Sequence, residues 1–265
     1  MKDNKEELIK RIRNVQNGVM ERIVPQEETY KTYQEHIHRY AFALNFCKDK
    51  IVLDLACGVG YGSYYLLKNG AKSVIGVDIS RDAITYAKSH YIHPKIEFIV
   101  GDATKLPFSD NSFDVIVSFE TIEHVKGYEK YLLECKRILK RRGIFICSSP
   151  NKRLSSPRGT SSNPYHLQEF YLEEFCEMMN ENFKDVELYA QEYTSIIIRI
   201  GGKLLSLFPK ERELKDLVKR AIWRKRYATA SKRDMSFSNI RKYQVFPFKK
   251  KIFVKPAIII SVAKK

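Results

Sequence analysis

Short apolar runs alternate with helical patterns along most of the chain, and this alternation restricts the possible folds more than any other feature. Five runs are typical of buried strands: residues 50–56, 73–78, 96–101, 113–119 and 143–149. Helical patterns separate them, at residues 61–69, 80–91 and 127–140. Because the runs are almost continuously apolar, the strands should be covered on both faces, as in a parallel sheet. The sequence therefore predicts an α/β fold with a doubly wound sheet.

The alternation continues with a helix near 170–181, a strand near 183–190 and a last strand at 256–263. The intervening segment is too long to be a loop between neighbouring strands. We therefore predict three parts: a core with an N-terminal helical cap at 1–190, a basic, mainly helical insertion at 191–255, and a last core strand at 256–265.

The positive charge is concentrated at one end of the chain. The formal net charge is +16, yet residues 1–198 are neutral, with 27 Lys and Arg against 27 Asp and Glu. Residues 199–265 hold the remaining 20 Lys and Arg and only 4 Asp and Glu. This asymmetry predicts an anionic partner at that end, such as nucleic acid, a phosphorylated substrate or an anionic membrane surface. A basic face that only aids solubility is the alternative.

Cysteine use and hydropathy indicate a cytoplasmic protein. The five cysteines are widely spaced and form no C-x-x-C pair, so a reduced compartment fits better than a disulfide framework or a zinc ribbon. The N-terminal sequence MKDNKEELIKRIR is charged throughout, unlike a signal peptide. No run of about 18 apolar residues is present, so we expect no membrane-spanning helix.

A glycine-rich turn follows the first strand, in VLDLACGVGYG. Asp54 lies near the end of the strand, and Ala56, Gly58, Gly60 and Gly62 follow at alternate positions. Such small residues let the backbone approach a ligand closely. The spacing differs from the G-x-G-x-x-G dinucleotide fingerprint, and the G-K-[ST] of a P-loop is missing from the sequence. An acidic residue at this turn would repel a pyrophosphate, but it suits a cationic amino acid group.

Two further acids follow the next two strands. Asp78 ends the second strand, in IGVDIS, and Asp102 ends the third, in IVGDATKLPF. A carboxylate at the first position can accept hydrogen bonds from both ribose hydroxyls, and one at the second can receive an adenine amino group. Helix or turn capping is the alternative for either acid. Three acids at successive strand ends favour a ligand site at the carboxyl edge of the sheet.

These motifs resemble those of class I S-adenosylmethionine-dependent methyltransferases. The segments VLDLACGVGYG, VIGVDIS, GDATKLPFSDNSFDVIVSFETIEHV and RILKRRGIFICSSPN carry the resemblance, which covers about 33–190 and the final strand. It implies a mostly parallel, seven-stranded, Rossmann-like sheet with S-adenosylmethionine as cofactor. The implied cofactor-binding residues are Tyr40, Asp54, Ala56, Gly58, Gly60, Asp78, Ile79, Asp102, Ala103 and Phe119.

Within that set, the resemblance assigns the parts of the cofactor. The turn from Asp54 to Gly62 would hold the methionine part, and Asp78 the ribose. Asp102 with Ala103 would hold the adenine. The family turn often has glycine where this chain has Ala56, a small departure in side-chain size.

A narrower resemblance is to the branch found in bacterial surface-polysaccharide pathways. EHIHRYAFA, SFETIEHV and NPYHLQEFYLEEF carry it, and it implies that Arg39 and Tyr40 close over the cofactor. It predicts an O-methyltransferase acting on a sugar hydroxyl of a glycan or lipid-linked saccharide, at the cytosolic membrane face. The alternatives are an RNA 2′-O-methyltransferase, a quinone-type small-molecule methyltransferase and a non-catalytic nucleotide-binding module.

Glu120, Glu123 and His124, in VSFETIEHV, are the predicted catalytic residues. At spacing i, i+3 and i+4 they would share one face of the first turn of the helix after the fourth strand. His124 could take a proton from an acceptor hydroxyl, or a divalent ion could lower the pKa of that hydroxyl.

The pattern E-x-x-E-H, followed later by H-x-x-E-F, resembles two metal-dependent O-methyltransferase groups. One group acts on the 2′-hydroxyl of small RNA ends, and the other acts on ubiquinone precursors. This resemblance implies that a divalent metal, Mg or Mn, is held by Glu120, Glu123, His124 and His166. A metal-free base at His124 and a purely structural role for these residues are the alternatives.

The basic insertion is predicted to overhang the active site. Residues 195–227 mix apolar, aromatic and basic side chains. That mixture suits an anionic membrane surface, and it equally suits single-stranded nucleic acid through phosphate pairing and base stacking. A helical cap with a solvated basic face is the alternative. We expect an anionic or saccharide substrate at the active-site mouth, and the sequence makes no prediction of the oligomeric state.

Overall fold

The computed structural model describes residues 30–157, 161, 163–192, 244–247 and 258–265. Most of the predicted insertion lies outside the described residues, including all of 195–227. Its helical character and its contacts with membrane or nucleic acid therefore stay predictions. Among the helices of the described part, none is long and apolar enough to cross a membrane.

Helices and strands alternate in the described residues as the sequence predicts. The α-helices are α1 (Tyr30–Cys47), α2 (Tyr61–Lys68), α3 (Arg81–His90), α4 (Tyr128–Ile138), α5 (Lys152–Ser155) and α6 (Leu172–Asn182), and a 3-10 helix, η1, covers Ile122–His124. The strands are β1 (Ile51–Leu55), β2 (Ser73–Asp78), β3 (Ile96–Val100), β4 (Phe113–Phe119), β5 (Leu139–Pro150), β6 (Lys184–Glu192), β7 (Gln244–Pro247) and β8 (Ile258–Lys264).

The strands form one mixed sheet in the order β3-β2-β1-β4-β5-β8-β6-β7. Strands β1 to β5 pair in parallel, and β8 runs antiparallel between β5 and β6. The predicted doubly wound sheet and its seven strands are therefore confirmed. The short β7 is an additional edge strand, and it lies inside the segment predicted as a helical insertion. Strand β5 also begins at Leu139, earlier than the predicted 143.

Helices cover both faces of the sheet, which explains why its strands are almost continuously apolar. On one side α1 packs against α2 and β4, and on the other α4 and α6 pack against each other and against the strands around β5 and β8. The main core contains fully buried side chains such as Leu53, Ile116, Tyr131, Phe145 and Phe175. Burying one large apolar side chain contributes about 1.5–3 kcal/mol, so this core is the main stabilising feature of the fold.

The strand order reverses direction between β1 and β4. From β1 the chain builds β2 and β3 on one side, and it then returns to place β4 on the other side of β1. Ligands bind in open α/β sheets in the crevice at the carboxyl ends of the strands beside such a switch point. The carboxyl ends of β1, β2 and β4 are where Asp54, Asp78 and Phe119 lie.

Candidate active site

The turn after β1 is held in a left-handed backbone conformation. Ala56, Gly58 and Gly60 have φ of 63°, 56° and 86°. At Gly60 an added Cβ would lie 2.7 Å from the Phe98 ring, so glycine is needed there for space as well as for conformation. Ala56 adopts a conformation that is costly for a residue with a Cβ, which indicates backbone strain at this turn.

Asp54 is buried, with 1% of its surface exposed. Its carboxylate accepts a hydrogen bond of 2.6 Å from the Ser63 hydroxyl and is approached by the Tyr40 hydroxyl at 3.1 and 3.3 Å. Burial raises the pKa of Asp54 to about 7, although the hydrogen bonds from Ser63 and Tyr40 oppose that shift. The Tyr40 ring lies directly over Gly62, where any Cβ would collide with it, and packs edge-on against Phe119.

Asp78 is also buried and binds two backbone N–H groups. Its carboxylate accepts from Gly58 N at 2.9 Å and from Ser80 N at 2.8 Å. The capping alternative for Asp78 is wrong, because the N-cap of α3 is Ser80, whose side chain accepts from Ala83 N. Asp78 instead ties the glycine-rich turn to the end of β2.

Asp102 lies at the surface and does cap a turn. Its Oδ1 accepts from both the backbone N and the hydroxyl of Thr104, each at 2.8 Å. This contact agrees with the turn-capping alternative, and it leaves the carboxylate accessible at the sheet edge.

A cavity of about 260 Å³ opens at this edge. Five predicted cofactor-binding residues line it, together with His124: Ala56, Asp78, Ile79, Asp102 and Ala103. The other five predicted residues do not line this cavity: Tyr40, Asp54, Gly58, Gly60 and Phe119. Tyr40, on α1, covers Asp54 and packs against Phe119. Arg39 also faces elsewhere, since its Nη1 donates to Gln191 Oε1 at 2.6 Å and so connects α1 to β6.

The predicted helical face of Glu120, Glu123 and His124 is wrong. After β4 the backbone turns at Glu120 (φ 50°), passes through η1 and becomes extended at Val125, and α4 begins only at Tyr128. A 3-10 turn has three residues per turn, and a left-handed residue precedes it, so the i, i+3, i+4 relationship of an α-helix does not apply. The three side chains consequently have different environments.

Glu120 is bound to β5 through Ser148. The Ser148 hydroxyl accepts from Glu120 N at 3.1 Å and donates to Glu120 Oε1 at 2.9 Å. These two hydrogen bonds hold the residue in its left-handed conformation. Glu120 does not belong to the group of possible metal ligands described below.

Glu123 is fully buried, and neither carboxylate oxygen has a hydrogen-bond partner among the described residues. Burial raises the pKa of Glu123 well above its ordinary value, the nearby Glu120 charge raises it further, and Arg39 opposes the shift. The Glu123 carboxyl group is therefore harder to ionise than an ordinary Glu, and its side chain does not line the cavity.

His124 lines the cavity, and one hydrogen bond determines which ring nitrogen carries the proton. Its Nδ1 lies 2.9 Å from the backbone carbonyl oxygen of Tyr165. A carbonyl oxygen only accepts, so Nδ1 must carry the proton in this contact. In the neutral ring, Nε2 is then the nitrogen with the lone pair, which makes it the basic atom of His124.

His166 lies beside His124, with ring centroids 4.9 Å apart. Its Nδ1 is 2.6 Å from Glu169 Oε1, and its Nε2 is 3.1 Å from Asn163 Nδ2. Asn163 Oδ1 accepts from Tyr165 N, which orients its amide so that Nδ2 donates to His166. Both ring nitrogens of His166 are thus hydrogen-bonded within the protein.

Three of the four predicted metal ligands come together. Possible ligand atoms of Glu123, His124 and His166 lie within 4.8 Å of one another. Carboxylate and imidazole are suitable ligands for divalent metals. Because the His166 nitrogens are bound to Glu169 and Asn163, His166 could join a metal only if the Asn163 side chain turned away.

Several residues of the site were missed by sequence reasoning. Thr121, Val125, Lys126 and Leu167 line the cavity beside His124. The first three are sequence neighbours of His124, so their positions could have been inferred from that residue. Leu167 is likewise the neighbour of the predicted His166, and the tertiary contact between the two segments brings it to the cavity.

Comparison with known sequences identifies the family of this chain. The family model described as "Methyltransferase domain" matches residues 53–147. A probable S-adenosylmethionine-dependent methyltransferase of Mycolicibacterium smegmatis is 34% identical over 193 residues, which are 70% of this chain and 74% of the relative. One from Mycobacterium tuberculosis is 35% identical over 165 residues, covering 60% of this chain and 59% of the relative.

Solved structures agree on the fold. An S-adenosylmethionine-dependent methyltransferase of Archaeoglobus fulgidus aligns with a TM-score of 0.57 at 19% identity, covering 89% of this chain and 95% of that one. A putative enzyme of the same kind from Listeria monocytogenes aligns with a TM-score of 0.56 at 15% identity, covering 90% and 99%. Together with the sequence relatives, these findings show that the chain belongs to the S-adenosylmethionine-dependent methyltransferases.

Proposed function

We propose that this enzyme transfers a methyl group to an oxygen atom, on a sugar hydroxyl of a glycan or lipid-linked saccharide. The observation that carries the oxygen assignment is the hydrogen bond from His124 Nδ1 to the Tyr165 carbonyl. It leaves Nε2 as the basic nitrogen of a side chain that lines the cofactor cavity. A hydroxyl is a poor nucleophile until a base removes its proton, so a positioned imidazole favours a hydroxyl acceptor.

The residues present fit S-adenosylmethionine. When bound, it supplies an electrophilic methyl group on a positively charged sulfonium sulfur. Asp102, Ala103 and Ile79 would hold the adenine end, and the buried carboxylate of Asp78 would bind the ribose hydroxyls. Asp54 would pair with the ammonium group of the methionine part once the Tyr40 hydroxyl that covers its carboxylate moves aside. The left-handed turn after β1 supports this assignment, because it keeps side chains away from the ligand.

His124 would act as the general base. Its Nε2 would take the proton from the acceptor hydroxyl as the oxygen attacks the methyl group. General bases of this kind contribute about 10²- to 10⁴-fold to the rate. The Tyr165 carbonyl would stabilise the resulting imidazolium, because it accepts from the Nδ1–H in both protonation states of the ring.

The saccharide part of the proposal rests on the sequence motifs EHIHRYAFA and NPYHLQEF and on the composition of the cavity mouth. There the exposed Lys126 lies with Leu167, which is 63% exposed, and the buried Thr121 lines the cavity beside them. Such a mixed polar and apolar rim suits a substrate with hydroxyl groups and an apolar part. A relative from Mycobacterium tuberculosis, 32% identical over 139 residues and covered over 51% of its length, is named phthiotriol/phenolphthiotriol dimycocerosates methyltransferase.

A nitrogen acceptor is the main competing proposal. Phosphoethanolamine N-methyltransferase 3 of Arabidopsis thaliana is 31% identical over 172 residues, although only 34% of that protein is covered. RNA is a second competitor, favoured by the excess of basic residues in 199–265. Binding to RNA should weaken steeply between low and physiological salt, whereas binding of a neutral saccharide should not.

An acceptor panel tests the proposal directly. The purified full chain would be incubated with isotopically labelled S-adenosylmethionine and separate lipid-linked saccharides, free glycosides, primary amines and RNA, and the methylated atom would be identified by mass spectrometry and NMR. We expect label on a sugar oxygen. Label found only on nitrogen or only in RNA would contradict the proposal.

A divalent metal at Glu123, His124 and His166 is a separate proposal, supported by the 4.8 Å grouping of their ligand atoms. If a metal is required, EDTA should abolish methyl transfer and added Mg²⁺ or Mn²⁺ should restore it. Elemental analysis of the purified chain should then also find bound metal. Unchanged activity in EDTA, with no metal found, would leave His124 as a metal-free base.

A further inference from the structure

We propose that Gln168 is a positioning residue that holds His124 in its reactive orientation. This inference rests on the proposed role of His124 as the base. Gln168 belongs to a segment of residues 163–170, called here the strap, which lies against the turn that carries His124. The strap keeps that turn in place.

The Gln168 side chain bridges the two ends of η1. Its Nε2 donates to the carbonyl oxygens of Ile122 at 2.8 Å and of Val125 at 3.2 Å. An amide NH₂ has two hydrogens, so a single side chain can satisfy both carbonyls. The two acceptors flank Glu123 and His124 in the sequence. Gln168 therefore fixes the backbone on both sides of these two residues.

The strap backbone adds further contacts with the same turn. Leu167 N and Gln168 N both donate to the carbonyl oxygen of Glu123, at 2.9 and 3.2 Å. The Tyr165 carbonyl accepts from His124 Nδ1 at 2.9 Å. The strap therefore contacts every residue from Ile122 to Val125, and it contributes the hydrogen bond that selects the His124 tautomer.

The turn needs this support because it has little stability of its own. A single 3-10 turn has poor hydrogen-bond geometry, and carbonyls at the end of a helix lack intrahelical partners. Thr121, at the N-cap of η1, makes no side-chain capping bond, and Glu120 just before it has a strained left-handed φ of 50°. The donors that complete this turn come from the strap, about 40 residues further along the chain.

The strap is itself firmly anchored. Glu169 Oε1 binds both His166 Nδ1, at 2.6 Å, and the Ser161 hydroxyl, at 2.9 Å. The carbonyl of the buried Phe170 accepts from Lys152 N at 2.9 Å. Because the strap is cross-linked within itself and fixed to Lys152 at its C-terminal end, loss of the Gln168 donors should affect mainly the softer η1 turn.

The test uses histidine tautomers and rates in the full chain. In ¹⁵N-histidine NMR, wild type should show His124 as the Nδ1–H tautomer. Gln168→Met keeps the length of the side chain but removes the donors, so the Nε2–H tautomer of His124 should become populated. The turnover number kcat for methyl transfer should fall about 10- to 10²-fold, and the affinity for S-adenosylmethionine should change little.

Gln168→Lys is the rescue variant, because its ammonium group can donate to both carbonyls again, and it should restore the wild-type tautomer. Lys130→Met is the matched control, since it puts the same side chain at an exposed position of α4, and it should leave tautomer and rate unchanged. If Gln168→Met does not fold, Gln168→Glu gives the same comparison, with acceptor oxygens facing two carbonyls.

If the folded donor-free variant, Gln168→Met or Gln168→Glu, keeps the wild-type His124 tautomer and the wild-type rate, Gln168 does not position His124. The Gln168 result can be told apart from a result that rules out His124 as the base. If the donor-free variant shifts the tautomer while His124→Gln retains full activity, Gln168 still positions His124, but His124 is not the base. If His124→Gln is inactive and the donor-free variant changes nothing, the base stands and the inference about Gln168 is wrong.

Discussion

Tyr40 covers Asp54: its hydroxyl lies 3.1 and 3.3 Å from the two carboxylate oxygens, and its ring fills the space over Gly62. A helix from the start of the described chain thereby seals the acid at the end of β1. The Asp54 carboxylate is the group assigned to the positively charged end of the cofactor. Its burial has consequences for both stability and cofactor binding.

The stability of the cofactor-free protein should fall as the pH rises through the range set by Asp54. Burial raises its folded pKa from the ordinary 3.8 to about 7, so between these values the folded state binds more protons than the unfolded state. The contribution of Asp54 is therefore greatest at low pH and is lost as the pH approaches about 7. Denaturant unfolding of wild type and Asp54→Asn from pH 5 to pH 8 measures it, and the difference between the two should shrink at low pH. A constant difference would contradict the buried-acid assignment.

Cofactor affinity should show the opposite dependence on pH. A cationic ammonium group favours the ionised form of Asp54, so below about pH 7 the binding-competent fraction falls. The dissociation constant of S-adenosylmethionine should then rise roughly tenfold for each further pH unit. Calorimetry from pH 5.5 to pH 8 checks this, with Asp54→Asn as the control that should bind weakly at every pH. A flat wild-type profile would show that Asp54 does not face the ammonium group.

Ala56→Gly should stabilise the protein. Ala56 has φ of 63°, a conformation that glycine adopts without steric cost. After allowing for the greater freedom of glycine in the unfolded chain, we expect a gain of about 0.5–1 kcal/mol in the free energy of unfolding. Ala41→Gly, within α1, is the matched control and should cost about 1 kcal/mol. Destabilisation by both substitutions would mean that Ala56 is unstrained.

Ser148→Ala should cost more than Ser261→Ala. The Ser148 hydroxyl accepts a hydrogen bond from Glu120 N and donates one to Glu120 Oε1. Both bonds disappear when the hydroxyl is removed. We expect a loss of about 1–3 kcal/mol in the free energy of unfolding. The Ser261 hydroxyl, buried on β8, has no hydrogen-bond partner within the described residues, so its removal should be close to neutral. Equal effects in urea denaturation would contradict the role of Ser148.

The fold was predictable because its signals are local. Continuous apolar runs and helical periodicity identify the strands and helices, and parallel strands bring Asp54, Asp78 and Asp102 to one edge of the sheet. The region after β4 was not predictable in the same way. Its shape depends on a left-handed Glu120 and on hydrogen bonds from Gln168, which no short-range pattern in the sequence reveals.

The same limit applies to the proposed catalytic group. The resemblance carried by E-x-x-E-H and H-x-x-E-F implied that Glu123, His124 and His166 could meet, as they do, but it also placed Glu120 with them. The structure separates Glu120 because Ser148 binds it on β5. The basic atom of His124 follows only from the Tyr165 carbonyl, a backbone contact that side-chain identity does not encode.

The proposed role of His124 as the base is tested most directly by single-turnover methyl transfer by wild type and His124→Gln, at saturating S-adenosylmethionine, to the best saccharide acceptor. We expect the methyl group to appear on a hydroxyl oxygen and His124→Gln to reduce the rate about 10²- to 10⁴-fold without changing cofactor affinity. An undiminished rate in His124→Gln, or a methyl group found on nitrogen, would contradict it.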